Sequence, residues 1–157
     1  MKNLRTAVMG VSLTLSCMFA AAQHQTLPIN QPDYNKPKLF SAMPEQMTAN
    51  VNNLVALFSS PVGANVSLNL ASDATFRFEG QVVSTASKYD NAIQSVVIRS
   101  TNFNGANLTL SRITSADGII SYKGRIISLQ NGDLYEIQSK GNQLLLVKKQ
   151  TLELVNE

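Results

Sequence analysis

Between residues 44 and 60, in the stretch PEQMTANVNNLVALFSS, hydrophobic positions recur with the period of an α-helix. The apolar residues on one side of that helix are Met47, Val51, Leu54, Val55 and Phe58. Pro44 suits the first helical position, and Glu45 suits the positive end of the helix dipole. The pattern predicts one amphipathic helix of about fourteen residues, which needs a sheet to cover its apolar side.

From residue 64 onward, apolar and polar residues alternate, as is typical of β-strands. All five prolines lie at or before Pro61, which suits a hydrogen-bonded sheet in the rest of the chain. The turn-forming residues Asp90, Asn104, Asp117 and Asn131 are evenly spaced and indicate consecutive antiparallel strands. The predicted strands are 64–71, 75–89, 93–101, 106–114, 119–129, 133–139 and 143–150.

The length of the connecting loops decides which side of each strand faces the core. A three-residue loop at Phe103–Gly105, with Gly105 left-handed, would pair Ile98 with Leu110. With the same loop length at the next turn, one side of the sheet is apolar and carries Val96, Ile98, Leu108, Leu110, Ile120, Tyr122 and Ile126. Gly124 lies within a predicted strand, so we expect either a bulge or a close approach of another backbone there.

These patterns predict an α+β fold. One N-terminal amphipathic helix packs on an antiparallel up-and-down β-meander of about six to eight strands, which is open or curled toward a barrel. Residues 44–157 form this single domain. Residues 23–43 are rich in Pro, Gln and Asn and form an extended lead-in, interpreted as a spacer, with a strand or anchor laid along the domain as the alternative.

Residues 1–22 have the three regions of a secretory signal peptide. The basic residues Lys2 and Arg5 precede a long apolar run, which ends in small residues before Gln23. We therefore expect export, with cleavage between Ala22 and Gln23. The apolar run is too short to span a membrane, and no later segment approaches the required length, so we expect no transmembrane segment.

Cleavage would change the composition of the chain. The full sequence has 13 basic and 10 acidic residues, so loss of Lys2 and Arg5 leaves 13 − 2 = 11 against 10, which gives no support for nucleic-acid binding. The only cysteine, Cys17, lies in the signal, and we expect no lipid anchor there because Thr14 stands where the lipidation motif has leucine. His24, the only histidine, lies in the N-terminal tail, so a catalytic triad or histidine-rich metal site has none available in the folded body.

The acidic residues suggest little catalytic chemistry. Asp117 and Asp133 adjoin glycines, but each turn supplies one acid only, so we expect turn chemistry and no bound metal. Paired carboxylates can hydrolyse glycosides without histidine, and Glu79 and Glu136 in predicted strands are the candidates for such a pair. The alternative is ordinary charge on a solvated sheet face. We expect neither an enzyme nor a cofactor.

The second turn, Ala116–Gly118, places Arg112 beside Tyr122 on the apolar side of the sheet. This pair is the candidate ligand-binding site, because a guanidinium can stack on an aromatic ring or bind an anion. The alternative is an arginine that lays its stem on the core and its head in water. On the opposite side, Arg99, Lys123 and Arg125 form a modest basic patch among residues typical of a solvated face: Thr101, Thr109, Ser111 and Ser121.

The stretch TFRFEGQVVSTASKYDNAIQSVVIRSTNFNGANLTLSRI, with GRIISLQNGDLYEI and a closing LVKK, resembles small exported proteins of unknown function from Bacteroidota. The likeness covers most of residues 75–149, and AAAQ at the cleavage point is similar to the same group. The resemblance implies a location in the bacterial cell envelope or outside the cell, either periplasmic or extracellular.

For function, the sequence favours an exported, non-catalytic module that binds a protein or envelope component through an exposed sheet face or edge. The alternative is a curled sheet that encloses a small apolar ligand, with Arg112 and Tyr122 at its mouth. A carboxylate-dependent hydrolase is the third hypothesis.

The predicted cleavage point can be checked directly on the exported protein. We expect N-terminal sequencing of the mature chain to begin at Gln23 and its mass to lack residues 1–22. A mature chain that begins at a lipidated Cys17 would contradict this expectation.

Overall fold

The computed structural model describes residues 35–155, which form a mostly antiparallel β-sheet with one short α-helix. In chain order the elements are β1 Gln46–Thr48, α1 Val51–Leu57, β2 Asn65–Asn69, β3 Arg77–Lys88, β4 Ile93–Ser100, β5 Ala106–Thr114, β6 Ile120–Ser128, β7 Asp133–Lys140, β8 Gln143–Gln150 and a 3-10 helix Thr151–Val155. The predicted signal peptide, with Ala22 and Gln23, and the first part of the lead-in lie outside the described residues.

The eight strands form one sheet in the order β1-β8-β7-β6-β5-β4-β3-β2, and every neighbouring pair is antiparallel. Strands β2 to β8 thus follow one another in space as they do in sequence, which confirms the predicted meander. The sheet curls into a half-barrel whose edge strands β1 and β2 approach each other. They meet at a single bridge between Ala49 and Ala71, beside which the Asn50 amide donates to the Leu70 carbonyl over 2.7 Å.

The helix differs from its prediction in length. It has seven residues and begins after Asn50, whose side chain accepts a hydrogen bond from the Asn53 amide at 3.2 Å. The predicted first turn, Gln46–Thr48, is instead β1, which pairs with β8. The side chains of this segment recur with a helical period, but its main chain forms hydrogen bonds with the edge of β8, and these decide its structure.

The buried side of the helix also differs from the predicted stripe. Leu54 and Leu57 are buried, whereas Val51 and Val55 are 41% and 38% exposed. Met47 is buried as predicted, but it reaches the core from β1. Because the helix starts later and is short, only one turn of it presents residues to the sheet.

The predicted pairing of β5 with β6 is confirmed. Arg112 faces Tyr122, and the turn that joins the two strands has Gly118 in the left-handed conformation, with φ of 81°. Gly124 pairs with Leu110 without any shift of register, so it is not a bulge. A Cβ at Gly124 would lie 2.5 Å from the Thr109 carbonyl oxygen, which confirms the alternative of close backbone approach.

The predicted pairing of β4 with β5 is wrong by two residues, since Ile98 faces Leu108 rather than Leu110. The loop is longer than three residues because side chains organise it: Ser100 Oγ accepts from the Phe103 amide at 2.9 Å, and Asn102 Nδ2 donates to the Arg77 carbonyl at 2.8 Å. A shift of two residues keeps each side chain on its predicted side, so the apolar face survives the error.

Aromatic rings fill one end of the half-barrel. Tyr135 lies 5.1 Å from both Phe40 and Phe76 between ring centroids, and Phe103 lies 5.4 Å from Phe40 and 5.6 Å from Phe76. Phe40, Phe76 and Tyr135 have no exposed surface. Burial raises the pKa of Tyr135 to about 12, and its hydroxyl donates to the Pro44 carbonyl.

The end of the lead-in is fastened across this aromatic cluster, and we call residues 36–45 the N-terminal strap. The buried Asp133 carboxylate accepts the Leu39 amide at 2.6 Å and the Phe40 amide at 2.8 Å. The Gly132 amide donates to the Pro37 carbonyl at 3.0 Å. Hydrogen bonds therefore hold the strap along the domain, and the Asp133 carboxylate bonds to the strap rather than within its own turn.

Removing the Asp133 carboxylate should loosen the strap. We expect Asp133→Ala to lower the free energy of unfolding by about 1–3 kcal/mol, because two buried amides lose their acceptor. Hydrogen–deuterium exchange at Leu39 and Phe40 should become faster, with a smaller change in Asp133→Asn, which keeps one acceptor oxygen. Asp117→Asn in an exposed turn is the control, and unchanged protection of Phe40 in Asp133→Ala would contradict the role of the carboxylate.

A methyl group at Gly124 should disrupt the contact between β5 and β6. We expect Gly124→Ala to destabilise the protein by about 1–3 kcal/mol in urea unfolding, because its Cβ would meet backbone that cannot rotate away. Ser121→Ala on the same strand should stay within about 0.5 kcal/mol of the wild type. Equal unfolding midpoints for the two variants would show that the backbone approach is unimportant.

Candidate functional site

The sheet opens between β6 and β7. Nine residue pairs join β5 to β6 and eight join β7 to β8, but only four join β6 to β7. The last of these four pairs is Gly124 with Ile137, although β6 extends back to Ile120 and β7 extends on to Lys140. Beyond that pair the two strands face each other without a ladder.

The backbone of β6 directs hydrogen-bonding groups into this opening. The Ser115 amide donates to the Ile119 carbonyl at 2.9 Å, and this bond shows which residue pairs of the ladder between β5 and β6 are hydrogen-bonded. Successive residues of a strand direct their N–H and C=O groups to opposite neighbours. Odd-numbered residues of β6 therefore bond to β5, and the backbone groups of Ile120 and Tyr122 point toward β7.

The same alternation applies to β7. The Ala49 amide donates to the Leu144 carbonyl at 2.8 Å, so even-numbered residues of β8 bond to β1 and odd-numbered ones to β7. Leu145 of β8 pairs with Gln138, so the even-numbered residues of β7 form their main-chain hydrogen bonds with β8. The backbone groups of Ser139 consequently point toward β6, so both sides of the opening offer main-chain donors and acceptors.

A cavity of about 690 Å³ lies at this opening, and we call it the β6–β7 cleft. Its lining comes from three strands: Thr109 and Ser111 of β5, Ser121, Tyr122, Lys123, Gly124 and Arg125 of β6, and Glu136, Ile137, Gln138 and Ser139 of β7. Most of these residues are polar. The charged residues and Thr109, Ser111 and Ser121 lie on the outer side of the half-barrel, whereas Tyr122 and Ile137 belong to the side that packs on the core.

The cleft has an excess of positive charge. Lys123 and Arg125 are exposed within it, and Glu136 is the single carboxylate among its lining residues. That carboxylate forms an ion pair with Lys149 Nζ at 2.9 Å and accepts from Gln138 Nε2 at 2.7 Å. The hydrogen bond from Lys149 keeps the pKa of Glu136 below its usual value, so Glu136 is ionised and its charge is already matched.

Of the two residues in the candidate ligand-binding pair, one lines the cleft. Tyr122 does so, and its ring packs 6.4 Å from that of Phe58. Arg112 faces Tyr122 across the ladder but lies outside the cleft, where its Nη1 donates to Gln94 Oε1 at 3.2 Å. Its Nε is buried and has no hydrogen-bond partner. The predicted neighbourhood is confirmed, while a ligand-binding role for the pair stays a prediction.

Sequence reasoning missed the cleft. The cleft residues Thr109, Ser111, Ser121, Lys123 and Arg125 were assigned to an ordinary solvated face. Strand lengths do not indicate the opening, because β7 continues to Lys140 and so has residues opposite 121–123 of β6 that do not join the ladder.

The two candidate carboxylates of a hydrolase are far apart. Glu79 lies in β3 and Glu136 in β7, so four strand spacings separate them, about 19 Å along the sheet. Glu79 forms an ion pair with Arg77 at 2.7 Å. Paired catalytic carboxylates lie about 5–10 Å apart, so these two do not form such a pair.

The turn between β5 and β6 uses its acid locally. Asp117 accepts hydrogen bonds from the Ser115 hydroxyl and, at 3.4 Å, from the Ile119 amide, and the Ser115 hydroxyl lowers the pKa of Asp117. Between residues 35 and 155, no three His, Cys, Asp or Glu side chains are grouped so that they could hold a metal ion.

Within the described part of the chain, none of the helices has the length and apolar character needed to cross a membrane. Comparison of the chain with protein-family models, with curated protein sequences and with solved structures found no match in any of the three.

Proposed function

We propose that this protein is an exported, non-catalytic binding module of the bacterial cell envelope, and that its partner docks in the β6–β7 cleft. The observation that carries the proposal is the opening between two neighbouring strands inside the sheet, where Tyr122 and Ser139 direct backbone groups into a cavity of about 690 Å³. Unpaired strand edges are surfaces on which partners add.

The lining of the cleft supports binding rather than catalysis. It contains neither histidine nor cysteine, and its one carboxylate, Glu136, is held by Lys149 at 2.9 Å. A general base must be free to take a proton, and a carboxylate whose pKa is lowered by an ion pair is a poor one near neutral pH. The polar residues of the cleft are suited to hold a partner in place.

The alternative, a small apolar ligand enclosed by the curled sheet, has less support. The interior is occupied by side chains, among them Phe40, Phe76, Phe78 and Tyr135, which have no exposed surface. A site for an apolar ligand is a concave cavity that buries most of the ligand. A packed aromatic cluster leaves the outer cleft as the better docking site.

A bulky side chain in the cleft should block docking without unfolding the protein. Ser121 lies on the outer side of β6 and lines the cleft, so we expect Ser121→Trp to reduce partner recovery about tenfold or more in affinity capture from the native envelope. The measurement is quantitative mass spectrometry of the proteins and glycans that are captured with the exported protein.

Ser95→Trp is the matched control, because Ser95 is also half-buried on the outer side of the sheet but lies in β4. This variant should capture the partner as the wild type does, and the free energy of unfolding of both variants should stay within about 0.5 kcal/mol of the wild type. Equal recovery with Ser121→Trp and Ser95→Trp would place docking outside the cleft and overturn the proposal.

A further inference from the structure

The unpaired edge of β6 determines what kind of occupant the cleft can hold. Its first four residues, Ile120–Lys123, precede the last pair with β7 and span about 13 Å at the rise of a β-strand. Along that length the N–H and C=O groups of Ile120 and Tyr122 recur every second residue. Another extended peptide backbone presents complementary groups at the same spacing, whereas a compact anion satisfies only one position.

The side chains around this edge select for charge. Lys123 and Arg125 lie two residues apart on the outer side of β6, and both are exposed. Glu136 lies opposite Arg125 and also pairs with Lys149, so this one carboxylate is shared among three cations, Lys123, Arg125 and Lys149, and the edge keeps an excess of positive charge. An acidic residue on an added strand would lie opposite Lys123, and a second acidic residue two positions away could reach Arg125 only diagonally, because Arg125 lies just past the free edge, opposite Glu136.

From this geometry we infer that the occupant of the β6–β7 cleft is an extended segment of a partner protein, with acidic residues at alternate positions, which adds to the free edge of β6. The inference rests on the proposed function and specifies its partner class. Main-chain hydrogen bonds to Ile120 and Tyr122 supply affinity, while Lys123 and Arg125 select the acidic residues.

The probe for this inference is the hexapeptide acetyl-Thr-Glu-Thr-Glu-Thr-Glu-amide, titrated into the purified, full-length mature protein. We expect saturable binding, with the amides of Ile120 and Tyr122 exchanging more slowly against deuterium once they are paired. The same peptide with glutamine in place of glutamate should bind about three- to tenfold more weakly, because it loses two exposed ion pairs.

Two further comparisons separate backbone pairing from simple charge attraction. A fully N-methylated form of the acidic hexapeptide should bind at least about tenfold more weakly, because it keeps its charges but loses its donors. In the protein, the double change Lys123→Gln and Arg125→Gln should weaken binding about three- to tenfold. Arg99→Gln, an exposed arginine on the outer side of β4, should leave binding unchanged.

Several results would overturn the inference. Equal binding of the N-methylated hexapeptide, or equally tight binding of an acidic oligosaccharide such as oligogalacturonate, would identify a polyanion site without strand addition. If the protein alone forms dimers, and if these dissociate when Lys123 and Arg125 are changed, the occupant of the cleft is a second copy of the chain. Absence of hexapeptide binding would reject the peptide class.

The capture experiment separates these failures from a failure of the proposed function. If the hexapeptide does not bind and Ser121→Trp still abolishes envelope capture, the cleft docks a partner of another class. If the hexapeptide binds and Ser121→Trp leaves envelope capture unchanged, the proposed function of the cleft is wrong.

Discussion

The buried carboxylate of Asp133 is the interaction on which the described part of the structure depends. It lies at the first position of β7 and accepts two amides of the strap, which brings Phe40 onto Phe76, Phe103 and Tyr135. A buried carboxylate is costly unless it is hydrogen-bonded, and here the two amides supply those bonds. The same contact therefore stabilises the buried carboxylate, holds the strap on the domain and completes the aromatic core at one end of the half-barrel.

The opening between β6 and β7 begins beside Gly124. Gly124 lets β6 approach β5 so closely that a Cβ would lie 2.5 Å from the Thr109 carbonyl oxygen. Toward its N-terminal end, β6 stays paired with β5 as far as Ile120, whereas its pairing with β7 ends at Gly124. The residues before Gly124 thus keep one partner strand and leave their other edge unpaired, and polar side chains of three strands surround the resulting cleft.

The two sides of the sheet differ in composition. The inner side carries the aromatic and aliphatic core, with the strap and α1 covering it. The outer side carries Lys123, Arg125 and hydroxyl-bearing residues around the opening. Because the core does not use these outer residues, the proposed binding surface can change in sequence while the fold is preserved.

The sequence by itself determined the antiparallel meander, the side of β4, β5 and β6 that faces the core and the pairing of Arg112 with Tyr122. These features follow from local causes, namely the two-residue period of strands and turn residues such as Gly118. The register error between β4 and β5 is two residues, an even number, so each side chain still lies on its predicted side of the sheet. The helix predicted from local pattern is wrong at residues 46–48, because this segment has helical spacing of apolar residues but pairs with β8 as a strand.

Only the tertiary structure decided the strap, the closure at Ala49 and Ala71, and the opening at the β6–β7 cleft. Asp133 meets the strap across a separation of 93 residues in the chain, and no local pattern indicates which carboxylate a distant amide will find. The opening depends on where the ladder between β6 and β7 ends, and the period of side chains within one strand does not show where its pairing with a neighbour stops.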